Sequence, residues 1–95
     1  LTPNRHNLYP AFPNPFNPLT TIGYSLSYEE HINLGIYDIT GRKIKTLVNG
    51  QQGFGYNEVK WNATNELGES VSAGVYFYKI QVGQISETKK IILLK

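Results

Sequence analysis

The chain has 95 residues, nine basic and seven acidic side chains, a formal net charge of +2, no Cys and no Met. So mild a balance argues against nucleic acid, which calls for a clustered basic face, and the lack of Cys excludes a disulfide framework and a thiolate metal site. The length suits one domain, near the lower limit for a core without staples, and no apolar run approaches the ~20 residues of a membrane-spanning helix.

All five prolines, Pro3, Pro10, Pro13, Pro15 and Pro18, lie in the first eighteen residues. They remove backbone donors and fix φ, so this stretch is expected to be neither a helix nor a central strand. Residues 1–8, with polar Asn4-Arg5-His6-Asn7, read as the end of a linker, and 9–95 as a single domain. From Tyr9 the segment is expected to lie extended against that domain, with Tyr9, Phe12 and Phe16 tucked in. Thr20 to Ser27 alternates, with Ile22, Tyr24 and Leu26 on one face. Tyr28-Glu29-Glu30 reads as a turn. His31 to Tyr37 alternates again, with Ile32, Leu34 and Ile36 inward. Asp38 to Arg42 reads as a tight hairpin connection, Asp38 capping it and Gly41 supplying a positive φ. Lys43 to Val48 is the return strand, Asn49-Gly50 a turn signal, and Gln51 to Gly55 a loop. Tyr56 to Trp61 is a strand with Val59 and Trp61 inward. A polar loop from Asn62 to Ser72 turns near Leu67-Gly68. Gly74 to Val82 and Ile85 to Leu94 close the chain as a last hairpin around Gly83-Gln84.

No helical period occurs. Short strands with turn signals every ~8–12 residues predict an all-β, Ig-like antiparallel β-sandwich of six to seven strands, without a disulfide. Trp61, the tyrosines and the branched aliphatics must then fill the core. With no Met, and Leu1 at its start, the chain is expected to be the C-terminal piece of a longer precursor.

Four motifs stand in order. Tyr9-Pro10 precedes Pro13-Asn14-Pro15-Phe16-Asn17-Pro18. Tyr37-Asp38-Ile39-Thr40-Gly41-Arg42-Lys43-Ile44 follows, then Trp61 with Gly74-Val75-Tyr76-Phe77-Tyr78-Lys79, and finally Lys89-Lys90-Ile91-Ile92-Leu93-Leu94-Lys95. Together they resemble the C-terminal sorting domains of the type IX (Por) secretion system, with the Ig-like domain of the flagellar hook-capping protein as a fold-level relative. One departure is Ala11-Phe12, which separates Tyr9-Pro10 from Pro13. The resemblance implies a non-catalytic module that follows an N-terminal cargo domain in the same precursor. The module would fold in the periplasm and be recognised by the outer-membrane translocon. A surface sortase-like peptidase would then remove it, cutting before Tyr9, with the cargo secreted or attached to the outer-membrane surface. The resemblance assigns the sorting signal to Lys89–Lys95. It carries no cofactor and no metal.

Each motif also has a structural explanation. Lysines flanking an apolar strand guard a sheet edge against aggregation, and the same edge can accept a partner strand. Gly74 allows a bulge or a close approach, and Tyr76 packs or hydrogen-bonds across the sheet. Asn14 and Asn17 can satisfy backbone groups beside the prolines. Asn62, Asn65, Glu66 and Glu69 are oxygen donors suited to Ca²⁺ but lack EF-hand spacing, so turn chemistry is the expected role. His6 and His31 lack partners for a zinc site or a triad, and Glu29-Glu30 is a poor acid–base pair. A carbohydrate-binding or spacer sandwich on a secreted glycoside hydrolase is the alternative function. The binding version requires Tyr37, Tyr56, Tyr76 and Tyr78 exposed in a row.

Overall fold

The computed structural model describes residues 6–94. Leu1–Arg5 and Lys95, parts of the expected linker and sorting signal, lie outside the described residues. Seven strands form: β1 (Asn7–Leu8), β2 (Thr20–Leu26), β3 (Glu30–Tyr37), β4 (Lys43–Gln52), β5 (Gly55–Trp61), β6 (Gly74–Val82) and β7 (Ile85–Leu93). They make two antiparallel sheets, ordered β1-β2-β5 and β4-β3-β6-β7. The expected β-sandwich is what forms.

The core lies between the sheets because one face of each central strand alternates apolar. Ile22, Tyr24 and Leu26 of β2 face Ile32, Leu34 and Ile36 of β3, and all six are at most 2% exposed. Trp61 closes one end of this layer with its ring against Phe16 and Tyr76, at centroid distances of 5.6 and 5.4 Å. Its indole N–H donates to the Thr64 carbonyl at 2.9 Å, so the ring is buried without an orphaned donor.

Asn49-Gly50 does not turn. β4 runs on to Gln52, pairing Asn49 with Asn33 and Gly50 with Ile32. Ten residues of β4 lie opposite eight of β3, and two register shifts absorb the difference. Ile44 and Leu47 are the residues skipped in the ladder, and both pack against the core. Bulges thus turn extra apolar side chains inward while the pairing continues. The change of sheet falls at Gly53-Phe54, with Gly55 at φ +99°.

The proline-rich segment lies along the sandwich as expected, but not all its aromatics are inside. Phe16 is buried, whereas Phe12 is 78% exposed and Tyr9 39%. Phe12 bridges Thr21, and paired residues share a face of the sheet. Thr21 faces out between the buried Thr20 and Ile22, so Phe12 faces out with it. Ala11 takes the inward position instead. Farther upstream, β1 pairs with β2, and Leu8 is in the core. His6 Nδ1 accepts the Ser27 N–H at 3.0 Å, and its ring stands edge-on to Tyr28.

Candidate functional site: the terminal strand and its strap

β7 is an edge strand, as its lysines suggested, and β6 is its only strand partner among the described residues. Its outer edge is not open throughout. The segment Pro13–Pro18 straps over the last third of the strand. Phe16 makes a parallel bridge to Leu93, its amide donating to the Ile92 carbonyl (2.9 Å) and its carbonyl accepting the Leu94 amide (2.8 Å). Asn14 extends the contact with its side chain. Its Nδ2 donates to the Lys90 carbonyl at 3.1 Å, and its Oδ1 accepts the Ile92 amide at 3.0 Å. Prolines cannot donate a ladder bond, so one carboxamide stands in for a strand backbone at the position between them. The first and last motifs are therefore one structural unit. The sequence signal for this pairing was thin: an Asn among prolines, with few neighbouring backbone donors to satisfy.

Several further contacts hold the strap. Tyr9 donates its amide to Gly23 and accepts the Tyr78 hydroxyl on its carbonyl at 2.7 Å. Burial pushes the Tyr78 phenol above its ordinary range. The Thr20 hydroxyl, fully buried, donates to the Pro13 carbonyl. Pro10, Pro13, Pro15, Asn17 and Pro18 are exposed. Thr20 and Tyr78 were not singled out from sequence as strap anchors.

The apolar quartet of the expected sorting signal is split by the pleat. Ile91 and Leu93 point into the core at 0% and 1% exposure, Ile92 is half-buried and Leu94 is exposed. Lys90 is exposed, and Lys89 is half-buried with its ammonium 3.7 Å from Glu87. Lys90, Ile92 and Leu94 therefore make up the outward face of this strand, while Ile91 and Leu93 hold it down.

The Asp38–Arg42 connection turns as its residues require. Asp38 Oδ1 accepts the Thr40 hydroxyl at 2.6 Å and the amides of Thr40 and Arg42 at 2.9 and 3.0 Å. Gly41 takes φ +88°. Arg42 reaches Asp38 only at 3.9 Å, with its side chain 82% exposed, so this ion pair adds little. The Thr40 hydroxyl chiefly, then the two amides and the Arg42 charge, hold the Asp38 carboxyl below its ordinary range against a smaller effect of desolvation. A carboxyl depressed in the fold contributes stability above its unfolded value and loses it as the pH falls through the folded one. The urea-midpoint difference between wild type and Asp38→Asn should therefore shrink as the pH drops below about 4. A difference that stays constant down to pH 2 would show that the Asp38 charge contributes nothing.

Gly74 sits at φ +144°, with nothing within 4 Å of where a Cβ would stand. The backbone conformation, rather than a close approach, requires glycine here. Tyr76 is buried and donates to the Ser72 carbonyl at 2.6 Å, and Val75 faces out.

The loop from Asn62 to Ser72 spends its oxygens on the fold. Asn65 Oδ1 accepts the amides of Leu67 and Glu69, Asn62 Oδ1 accepts the Thr64 hydroxyl, and Glu66 Oε2 accepts the Thr46 amide at 2.8 Å. Glu66 thereby caps the opposite edge of the four-stranded sheet at β4. Among the described residues no three His, Asp or Glu side chains converge as metal ligands.

The four candidate tyrosines do not form a row. Tyr76 and Tyr78 are buried, and Tyr56 is exposed on the other sheet. Tyr37 lies on the outer face of β3 beneath the Lys79 ammonium. The flat aromatic platform that sugar binding requires is missing among these residues.

A family model described as the secretion system C-terminal sorting domain matches residues 10–94. Among solved structures, the chain is similar to dimeric latent PorU from Porphyromonas gingivalis, with a TM-score of 0.78 and 24% identity over 99% of the chain and 10% of that protein. It is also similar to PorZ of the same organism, a surface component of its type IX secretion system, with a TM-score of 0.64 and 26% identity over 93% of the chain and 11% of PorZ. FlgD from P. aeruginosa shares the fold, with a TM-score of 0.61 and 19% identity over 78% of the chain and 57% of FlgD. The chain thus spans about a tenth of the length of PorU and PorZ. Among curated proteins, none matches it.

Proposed function

The chain belongs to the secretion-system C-terminal sorting domain family, and we propose that it directs a cargo protein joined at its N-terminus through the type IX pathway. The family match over residues 10–94 carries this reading. The shared fold of PorU and PorZ supports it.

The proposed course begins with folding of the module in the periplasm. The outer-membrane translocon then reads the folded domain at the exposed side of β7, through Lys90, Ile92 and Leu94, with Lys89 and Lys95 as the remaining charges of the signal. Because the fold takes up His6 to Leu8, removal of the module by a surface peptidase falls N-terminal to His6. The released cargo is secreted or kept on the outer-membrane surface. The module itself performs no chemistry in this scheme.

The test is a fusion of this chain to the C-terminus of a periplasm-directed fluorescent protein, expressed in a bacterium with a type IX system. The wild-type fusion should appear in the medium or on the cell surface. Lys89→Ala together with Lys90→Ala should cut that export by about tenfold or more while moving the melting transition little, because Lys90 is exposed and the partly exposed Lys89–Glu87 pair contributes little. Unchanged export would refute direct reading of these two residues. Retention of the wild-type fusion itself would leave the spacer role.

A further inference from the structure

The outer face of the four-stranded sheet carries an arrangement that core packing does not use. Register places Lys43 opposite Tyr37, Tyr37 opposite Phe77, and Phe77 opposite Lys90. A row of cation, ring, ring, cation therefore crosses all four strands, ~14 Å from end to end at the usual strand spacing. In the next row Lys79 sets its ammonium 5.1 Å from the Tyr37 ring centroid, with Lys43 at 5.9 Å. Gly35 leaves room for this ring, since a Cβ there would meet it at 3.3 Å. An open groove of about 280 Å³ runs alongside, lined by Tyr37, Asp38, Ile39, Phe77, Lys79 and Thr88. Exposed Ile39, Val75 and Leu94, with half-buried Ile92, extend the apolar surface beside it.

The charges on this face do not cancel locally. Asp38 already accepts three hydrogen bonds, and Glu87 faces Lys89. Among the described residues, Lys43, Lys79 and Lys90 have no carboxylate within ion-pair distance. Three lysines are too few for a nucleic-acid backbone. Interleaved with rings and aliphatics, they suit an extended peptide that carries both acidic and apolar side chains on the one face it lays against the sheet, that is, at every second residue.

We propose that this face, and not only the β7 edge, is a docking surface for an acidic, amphipathic segment of a partner protein. The proposal rests on the sorting reading, for which it specifies the partner's chemistry. It also accounts for motifs far apart in sequence. Tyr37, Lys79 and Lys90 come from three of them and meet only on this sheet face.

The test is a ¹⁵N-resolved NMR titration of the full chain with a soluble peptide of repeating Glu-Ser-Val-Ser, which sets glutamate and valine by turns on one face of a strand. Amides of Tyr37, Phe77, Lys79, Thr88 and Lys90 should shift, and binding should weaken as salt rises. The double variant Lys79→Glu/Lys90→Glu should lose affinity by about tenfold or more. A second variant, Lys43→Gln/Lys79→Gln/Lys90→Gln, removes the charge without reversing it and should lose affinity in the same direction. Absence of shifts, shifts confined to the other sheet, or equal binding of the corresponding Lys-Ser-Val-Ser peptide would each overturn the proposal. So would binding of phosphatidylglycerol vesicles on this face where the peptide does not bind. The wild-type reporter fusion separates the two readings. Export without peptide binding removes the docking surface alone, whereas failure of export removes the sorting role on which it rests.

Discussion

Deleting Ile91–Lys95 is expected to unfold the domain, and not simply to erase an address. Two of the five residues, Ile91 and Leu93, are fully buried core side chains. Truncating such a residue to alanine costs ~2–5 kcal/mol, and deletion removes both together with their backbone. The deletion also takes away the Ile92 and Leu94 groups that receive the strap, leaving Phe16 without its backbone partners on β7 and Asn14 with the Lys90 carbonyl alone. A domain of this size has roughly 5–15 kcal/mol in all. Far-UV circular dichroism and limited proteolysis should show loss of the cooperative transition and rapid cleavage. A truncated chain that melts within a few degrees of wild type would show that β7 contributes far less than its burial implies. Retention of a truncated fusion inside the cell therefore does not separate a lost signal from a lost fold. Substitutions on the outward side of β7, Lys90, Ile92 and Leu94, make that separation.

This consequence was not visible in the sequence. Ile91-Ile92-Leu93-Leu94 reads as a uniform apolar run, and only the register with β6 sorts it into two core and two outward residues. The alternating runs at 22–26 and 32–36 were legible because one sheet face is buried along their whole length, which imposes a period of two. The Asp38–Arg42 turn was legible for a different reason: its chemistry is local, carried by one carboxylate and one glycine. Asn49-Gly50 carries an equally strong local signal, yet pairing along the full length of β3 overrides it. Phe12 misled in the opposite sense. Its hydrophobicity argues for burial, but its bridge to Thr21 fixes the other face. The bond from Asn14 to β7 spans 78 positions, and no window of sequence contains both partners. The same holds for the Lys43–Tyr37–Phe77–Lys90 row, which exists only once four strands are in register.

Replacing Trp61 with alanine is the second large effect. The ring is 1% exposed and stands between Phe16 of the strap and Tyr76 of β6. Removing it leaves a cavity at the place where the strap, β5 and β6 meet, at ~3–5 kcal/mol for an aromatic cut to alanine. It also strips the Thr64 carbonyl of its indole donor, a loss of ~1 kcal/mol where water does not replace the bond. Trp61→Phe keeps most of the ring contact and loses that bond, so it should fall well short of the alanine variant. Because Trp61 is the only tryptophan, urea unfolding must be followed by far-UV circular dichroism. A midpoint shift for Trp61→Ala equivalent to less than about 1 kcal/mol, by the linear extrapolation, would place the ring outside the core. The loss should also reach the terminal strand. Without Trp61 to pack on, Phe16 is held less firmly, and the Leu94 amide that donates to its carbonyl should exchange with solvent faster than in wild type. Unchanged exchange at Leu94 would mean that the strap clasps β7 through Asn14 and its backbone bonds alone. Accelerated exchange would make the Trp61 indole the internal brace that couples the strap to the outward face of the strand.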